Sequence, residues 1–369
     1  MQLHRRQILS LAIGASLLGP ARAFAGTGTD APRFAACARL ADGRFAAVLL
    51  DEAGVILGHR PLPGRGHEIA HHAPSGRFVA FARRPGSFLA AFGDDPREAP
   101  QIVSAAPGRS LYGHGAFSPD GALLYATEND AAAARGVIGV YDVRAGYARI
   151  GEFSSGGVGP HELLLMEGGR TLAIANGGLD TTPEFGRLDL NTAEMAPSLA
   201  LVDVATERVV AVHDLGADHA QLSIRHLAAA EDGSIWFGCQ HEGAPTELPP
   251  LAGRLSEDGA MELLALPEGL RARPRNYVGA VSASRDGGIV AFSAPRGNVV
   301  FAFDAATRRF LGLAPLADGC GIAPGLSPDE IVGAGGEGDV VRFAFAAGEE
   351  AARPVRRDDL AFDNHLTLL

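Results

Sequence analysis

The chain reads as an all-β fold, a seven-bladed β-propeller, on three observations. Short apolar stretches alternate along most of its length with turns rich in Gly, Asp, Ser and Pro, and the 3.6-residue pattern of helical repeats is missing. A His recurs at a fixed interval: His67 to His114 and His114 to His161 are both 47 residues. A period in the forties with four short strands per unit is a propeller signature. The end of the chain, Asn364-His365-Leu366-Thr367-Leu368-Leu369, resembles Pro160-His161-Glu162-Leu163-Leu164-Leu165, an innermost strand. Only three strands are visible in the N-terminal unit, so the terminal strand is expected to complete it. That pairing would close the ring and remove its open edges.

The clearest unit is the third, opening at Leu111 and running LYGHGAFSPDGALLYATEND. Pro119 pre-sets φ, Asp120 can bond the backbone ahead and Gly121 accepts a positive φ, so Ser118-Pro119-Asp120-Gly121 joins two antiparallel strands. Ala122 to Ala126, Gly136 to Asp142 and Ala148 to Phe153 supply the other strands. The first unit has Phe34 to Leu40, Arg44 to Leu50 and Val55 to His59. The second starts at Gly66-His67, turns at Pro74-Ser75-Gly76 and continues through Phe78 to Ala82 and Phe88 to Phe92. The fourth starts at Pro160-His161, turns at Glu167-Gly168-Gly169 and runs Thr171 to Ala175. An insertion, Asn176 to Pro197, precedes its strand Ser198 to Val204, which explains why the next His, His226, comes 65 residues after His161. The fifth starts at Arg225-His226, turns at Asp232-Gly233 and runs Ile235 to Cys239. The sixth starts near Tyr277, turns at Asp286-Gly287 and runs Ile289 to Ser293. The seventh starts near Cys320, turns at Pro328-Asp329 and runs Ile331 to Ala334.

With 47% hydrophobic and 20% charged residues, the chain can fill a large core. Its net charge is −11 and it contains no Lys, which excludes a Schiff-base or P-loop lysine. No basic stripe exists to hold nucleic acid. Residues 1–25 read as an export signal: Arg5-Arg6, an apolar run from Ile8 to Leu18 too short to span a membrane, and Ala23-Phe24-Ala25 before Gly26. The twin arginines followed by Gln7-Ile8-Leu9 resemble a twin-arginine signal, a route that carries folded proteins, often with a cofactor inside. Residues 26–369 are then the propeller, a periplasmic monomer with no transmembrane segment. Cys37, Cys239 and Cys320 lie far apart without a CxxC, and no disulfide framework is expected.

The His of the third, fourth and fifth units each lie seven residues before the turn Gly, and His67 lies nine before Gly76, which preserves the strand face. With His365 at the matching place, five innermost strands would begin with His at one end of the central channel. His67, His114, His161, His226 and His365 are therefore the candidate metal ligands. Two readings of this ring stand: imidazoles holding a metal or haem, or imidazoles satisfying backbone carbonyls at the channel mouth. The loops between second and third strands share that end and are expected to carry Arg83-Arg84, Glu128-Asn129-Asp130, Asn176, Asp180, Arg187, Asn191, Gln240-His241-Glu242 and Arg296. From that mouth, Arg83, Glu128, Asn176, Asp180, Arg187 and Arg225 are the candidates for binding a cofactor. His71 and His72 lie near the opposite end, and His213 and His219 fall in a connecting segment. Gly-x-Ser-x-Gly, HExxH, P-loop and CxxCH motifs are all missing, so a serine triad is unsupported.

Taken together, Gly113-His114-Gly115 with SPDG and ATEND, Arg135 to Asp142 (RGVIGVYD), Gly159-Pro160-His161-Glu162-Leu163, Ala175-Asn176-Gly177-Gly178, Leu222 to Leu227 (LSIRHL) and Asp363-Asn364-His365-Leu366 resemble the DUF1513 family of periplasmic propellers. Phe362 stands where the family pattern leads one to expect Trp. The resemblance covers most of the mature chain. It implies a role in periplasmic iron acquisition beside imelysin-like and dihaem peroxidase-like partners, and it carries over no catalytic residue. The function expected is binding of iron, copper or haem at the His-lined mouth. The alternatives are a lactonase-like hydrolase using a channel-centred Ca or Mg, with Glu128, Asn176 or Asp180 as oxygen ligands, and a scaffold that only docks proteins.

Overall fold

The computed structural model describes residues 33–95, 97–166, 168–181, 191–345, 355–356 and 359–369. The export signal and Arg187 lie outside these residues. Among the described residues the strands form seven four-stranded antiparallel sheets. The first three strands are β1 (Phe34–Leu40), β2 (Phe45–Leu50) and β3 (Ile56–Leu62). Blade two is β4 (Gly66–His72), β5 (Arg77–Ala82), β6 (Phe88–Gly93) and β7 (Gln101–Ser104). Blade three is β8 (Arg109–Phe117), β9 (Leu123–Asp130), β10 (Arg135–Asp142) and β11 (Ala148–Ser154). Blade four is β12 (Pro160–Leu165), β13 (Thr171–Asn176), β14 (Ser198–Asp203) and β15 (Arg208–His213). Blade five is β16 (Leu222–Ala229), β17 (Ile235–His241), β18 (Ala252–Leu255) and β19 (Met261–Leu264). Blade six is β20 (Ala280–Ala283), β21 (Ile289–Ala294), β22 (Val299–Asp304) and β23 (Phe310–Pro315). Blade seven is β24 (Gly319–Pro324), β25 (Ile331–Gly335), β26 (Asp339–Phe343) and β27 (Val355–Arg356). The last strand, β28 (Leu360–Leu368), pairs antiparallel with β1 and completes the first sheet as expected. Each innermost strand touches the next around the ring, and β28 touches both β24 and β4. No helix of the described residues is long and apolar enough to cross a membrane.

The middle strands are apolar without alternation because neighbouring blades cover both of their faces. In β5, Phe78, Ala80 and Ala82 pack on Cys37, Ala47 and Leu49 of blade one. The intervening Val79 and Phe81 pack on Leu111, Leu124 and Ala126 of blade three. The two-residue period of a strand thus divides one apolar run between two interfaces. Outermost strands lose one cover, and Val210 and Val212 of β15 are exposed.

The tight turns follow their chemistry. Ser118 Oγ donates to Asp120 Oδ1 at 2.6 Å, the same oxygen accepts the Ala122 N–H at 3.0 Å, and Gly121 takes φ 65°. The same device recurs at Ser284, Asp286 and Gly287, with Ser284 Oγ 2.6 Å from Asp286. A side chain at Gly121 would strike the His72 ring, whose Nε2 lies 3.2 Å from the Pro119 carbonyl oxygen, so this turn is also a joint between blades.

Several boundaries differ from expectation. Glu128, Asn129 and Asp130, expected in a loop, lie within β9, because Arg135, Gly136 and Val137 continue the ladder opposite them. Asn176 likewise ends β13, Gln240 and His241 end β17, and His213 ends β15. The innermost strand of blade six begins at Ala280; Tyr277 precedes it in a single bridge to Gln240.

Two stability predictions follow from these contacts. Phe362 is 3% exposed in the cluster that seals β28 against Phe34, Val48 and Val332. Phe362→Ala is expected to cost about 3 kcal/mol in chemical denaturation. Glu128 is 1% exposed, accepts a hydrogen bond from the Tyr141 hydroxyl and is bound by Arg149 Nη2 at 2.7 Å. Arg149→Ala leaves that buried carboxylate uncompensated and should cost about 3 kcal/mol, with much of the loss recovered when Glu128→Gln is added.

Candidate metal centre

The innermost strands depart from regular pairing where their His residues stand. In β4, Gly66 pairs with Ala82 and Ile69 with Ala80, so His67 and Glu68 together face the single position of Phe81. In β12, His161 and Glu162 together face Ala175. In β16, Arg225 is the extra residue between the pairs Ile224–Cys239 and His226–Gly238. In β8, Tyr112, Gly113 and His114 occupy the span opposite Thr127. In β28, Asp363, Asn364 and His365 occupy the span opposite Cys37. These are β-bulges, which bend the strand and re-aim its side chains. The two wider ones use left-handed backbone: Gly113 has φ 104° and His365 has φ 75°. For a non-glycine residue the latter is a strained conformation.

The bulges bring all five imidazoles together. Ring centroids of His67 and His114 are 4.8 Å apart, His114 and His161 4.8 Å, His161 and His226 4.7 Å, His226 and His365 4.9 Å, and His365 and His67 4.8 Å. His365 also lies 4.6 Å from His114 across the ring. Two carboxylates complete the cluster. Glu68 Oε2 is 3.0 Å from His114 Nδ1 and also accepts the Gly115 N–H, and Glu162 Oε2 is 2.8 Å from His226 Nδ1. The Thr127 hydroxyl lies 3.2 Å from the His114 carbonyl oxygen and 3.1 Å from that of His161, and shares its one proton between them.

Every one of the five rings keeps one buried nitrogen without a hydrogen-bond partner: Nδ1 of His67 and His161, and Nε2 of His114, His226 and His365. Buried polar atoms are nearly always satisfied, so five such atoms in one place call for a ligand. Among the described residues, donor atoms of His114, Glu162, His226 and His365 lie within 4.8 Å of one another, as do those of His67, His114 and His161. The His and Glu groups could hold a metal ion. The Glu68–His114 and Glu162–His226 pairs have the carboxylate–imidazole form that fixes a ligand's tautomer and turns Nε2 toward a metal.

Electrostatics keep the nitrogens available. Burial pushes His67, His161, His226 and His365 well below the usual imidazole range, and the neighbouring imidazoles push the same way. Arg83 adds to this at His67 and His365, and Arg225 at His161 and His226. Neutral imidazole is the form that binds metals. Burial, followed by the charge of Glu68, raises the Glu162 carboxyl well above its usual range.

Other candidate residues are placed variously. Arg83 Nη1 binds Asp363 at 3.1 Å, and the same carboxylate is bound by Arg65 and lies 3.6 Å from His67 Nδ1. Arg225 is buried beside His226. Glu128 is not brought to the imidazoles; its carboxylate is taken up by Tyr141 and Arg149. Asn176 donates to the Ser155 carbonyl at 3.0 Å and so ties β13 to the preceding loop. Asp180 is fixed through its backbone N–H, which donates to Asn191 at 2.7 Å. Glu68, Glu162 and Asp363 were not anticipated. The His-Glu step at 67–68 and 161–162 is the signal for the first two, and strict alternation hides it by assigning neighbours to opposite faces.

No curated protein matches the chain. Hydrazine synthase of Kuenenia stuttgartiensis is similar in structure, with TM-score 0.62 and 12% identity over 92% of this chain and 100% of that one. The β-propeller domain of Myceliophteria thermophila Cps50 (Swd1) is similar with TM-score 0.57 and 11% identity, over 84% of this chain and 95% of that one. At such identities the likeness concerns the fold alone. A sequence profile described as protein of unknown function, DUF1513, matches residues 60–369, and the chain belongs to the DUF1513 family.

Proposed function

We propose that this protein is a periplasmic metal-binding propeller that holds one iron or copper ion among its five axial imidazoles and serves metal acquisition or handling. The observation that carries the reading is a cluster of five buried imidazoles in ring contact, each keeping one nitrogen without a hydrogen-bond partner. Neutral nitrogen donors suit iron, copper or zinc, whereas Ca and Mg require oxygen. The oxygen set of the hydrolase alternative fits less well, because the Glu128 carboxylate is already taken up by Arg149 and Tyr141. Rings in mutual contact leave room for an ion and no slot for a planar macrocycle, so the reading favours a bare ion over haem. Export by the twin-arginine route and work beside imelysin-like and dihaem peroxidase-like proteins are part of the proposal; the family resemblance and the Arg5-Arg6 signal support them.

Protein purified without chelators should contain close to one equivalent of iron or copper by elemental analysis and show no Soret band. The His114→Ala, His161→Ala double variant should lose at least nine-tenths of that metal while keeping its far-ultraviolet circular dichroism; unchanged metal content would sink the shared site. Glu68→Gln keeps all five imidazoles and removes the carboxylate beside His114. It is expected to weaken metal binding about 10- to 100-fold in a competition titration.

A further inference from the structure

Above the imidazoles lies a small pocket with His67 and His161 at its floor and Arg83, Arg84, Gln240 and Tyr277 in its walls. None of its lining side chains is acidic, although the chain as a whole carries a net charge of −11. Arg296 adds another cation at the rim, its guanidinium 4.2 Å from the Tyr277 ring centre. Arg225, beside the same imidazoles, is 1% exposed, and neither its Nε nor its Nη2 has a hydrogen-bond partner. Its nearest carboxylate oxygen, on Glu242, is 3.5 Å away, an ion-pair distance without hydrogen-bond geometry. Burying a guanidinium with two unmet donors is costly unless a ligand meets them.

The charges point the same way. Around the cluster, Arg65 and Arg83 bind Asp363, Glu68 is joined to His114 and Glu162 to His226, and Arg225 has Glu242 at ion-pair distance. A divalent ion placed on these imidazoles would bring two positive charges into a buried site, where an added charge is tolerated only with a countercharge beside it. The free space is on the order of one water-sized group at the floor, so the compensating group must be compact where it meets the ion. Planar carboxylate-type oxyanions meet a guanidinium fork with two oxygens.

We propose that the axial metal is bound together with a carboxylate-type oxyanion, either free carbonate or the carboxylate of an organic chelator that delivers the metal, held by Arg225 and Arg83 above the imidazoles. This rests on the metal-binding reading and adds the class of its second ligand. The arginines would hold the anion against the ion and so make metal and anion binding mutually dependent.

The test uses the full mature chain, Co(II) as the metal probe, and radiolabelled bicarbonate or citrate in otherwise carboxylate-free buffer within a closed cell. The expected result is about one equivalent of label retained with one equivalent of cobalt, and at least ten-fold less label when cobalt is omitted. Retention of bicarbonate alone identifies free carbonate, and retention of citrate alone identifies a chelator; either supports the proposal. Arg225→Lys should lower the label retained per bound cobalt at least ten-fold. Arg83→Gln, at a less buried position, should do the same and serves if the first variant folds poorly. Cobalt bound with neither label above the metal-free control overturns the oxyanion while leaving the metal site standing. If no cobalt binds under any condition, the metal site itself falls and the oxyanion with it.

Discussion

Five imidazoles in ring-to-ring contact, removed from water, constrain the rest of this structure. Each ring keeps one buried nitrogen to which no protein group is hydrogen-bonded. Leaving a buried polar atom unsatisfied costs about 1–3 kcal/mol, and the site does this five times over. Such an arrangement persists only where the surroundings over-determine it. Here the surroundings are seven sheets packed face to face, with strands such as β5 contributing alternate side chains to two interfaces. The apolar laminae stabilise the fold, and the axial end of the same strands carries the destabilised polar cluster. That division is expected of a site whose function requires what stability does not.

Comparison of the glutamates makes the same point with one residue type. Glu128 sits in regular pairing on β9, faces Tyr141 and Arg149, and is neutralised within its own blade. Glu162 sits in a bulge on β12, faces the His226 imidazole of the next blade, and has the charge of Glu68 nearby. The first carboxylate is bound by a guanidinium and closes a structural network. The second is pushed toward its neutral form by burial and is joined to a ring whose other nitrogen is open. Backbone register, rather than residue type, decides which role a glutamate takes.

That difference also marks what could be read from sequence. The blade period, the Ser-Pro-Asp-Gly turn and the closing strand were legible because each is local or periodic: φ preferences at Gly121, a 47-residue spacing, and the likeness of Asn364-His365-Leu366 to Pro160-His161-Glu162. The five His were legible as one set for the same reason. Strand ends were less so. Glu128 and Asn176 looked like loop residues because polar side chains follow an apolar run, whereas pairing with β10 and β14 extends the strands through them. The partners of the imidazoles were hidden more deeply. Glu68 and Glu162 each adjoin a His, and a regular strand would send neighbours to opposite faces. Only the bulges aim both inward, and no local composition announces a bulge at His67 or His161, where Gly is not the extra residue.

β28 is last in the chain, yet it is the innermost strand of the first blade and lies between β24 and β4. Its bulge supplies His365 to the cluster and Asp363 to Arg65, Arg83 and the neighbourhood of His67. Phe362 and Leu366 flank that bulge and are buried against blades one and seven. Apolar packing on both sides can therefore hold His365 at φ 75°, a conformation that an isolated strand would leave. The cluster gains its fifth imidazole only when β28 docks. Completion of the fold and completion of the site are thus one event, and a ligand that binds the full set of imidazoles stabilises the closed ring by the same free energy with which the closed ring binds it.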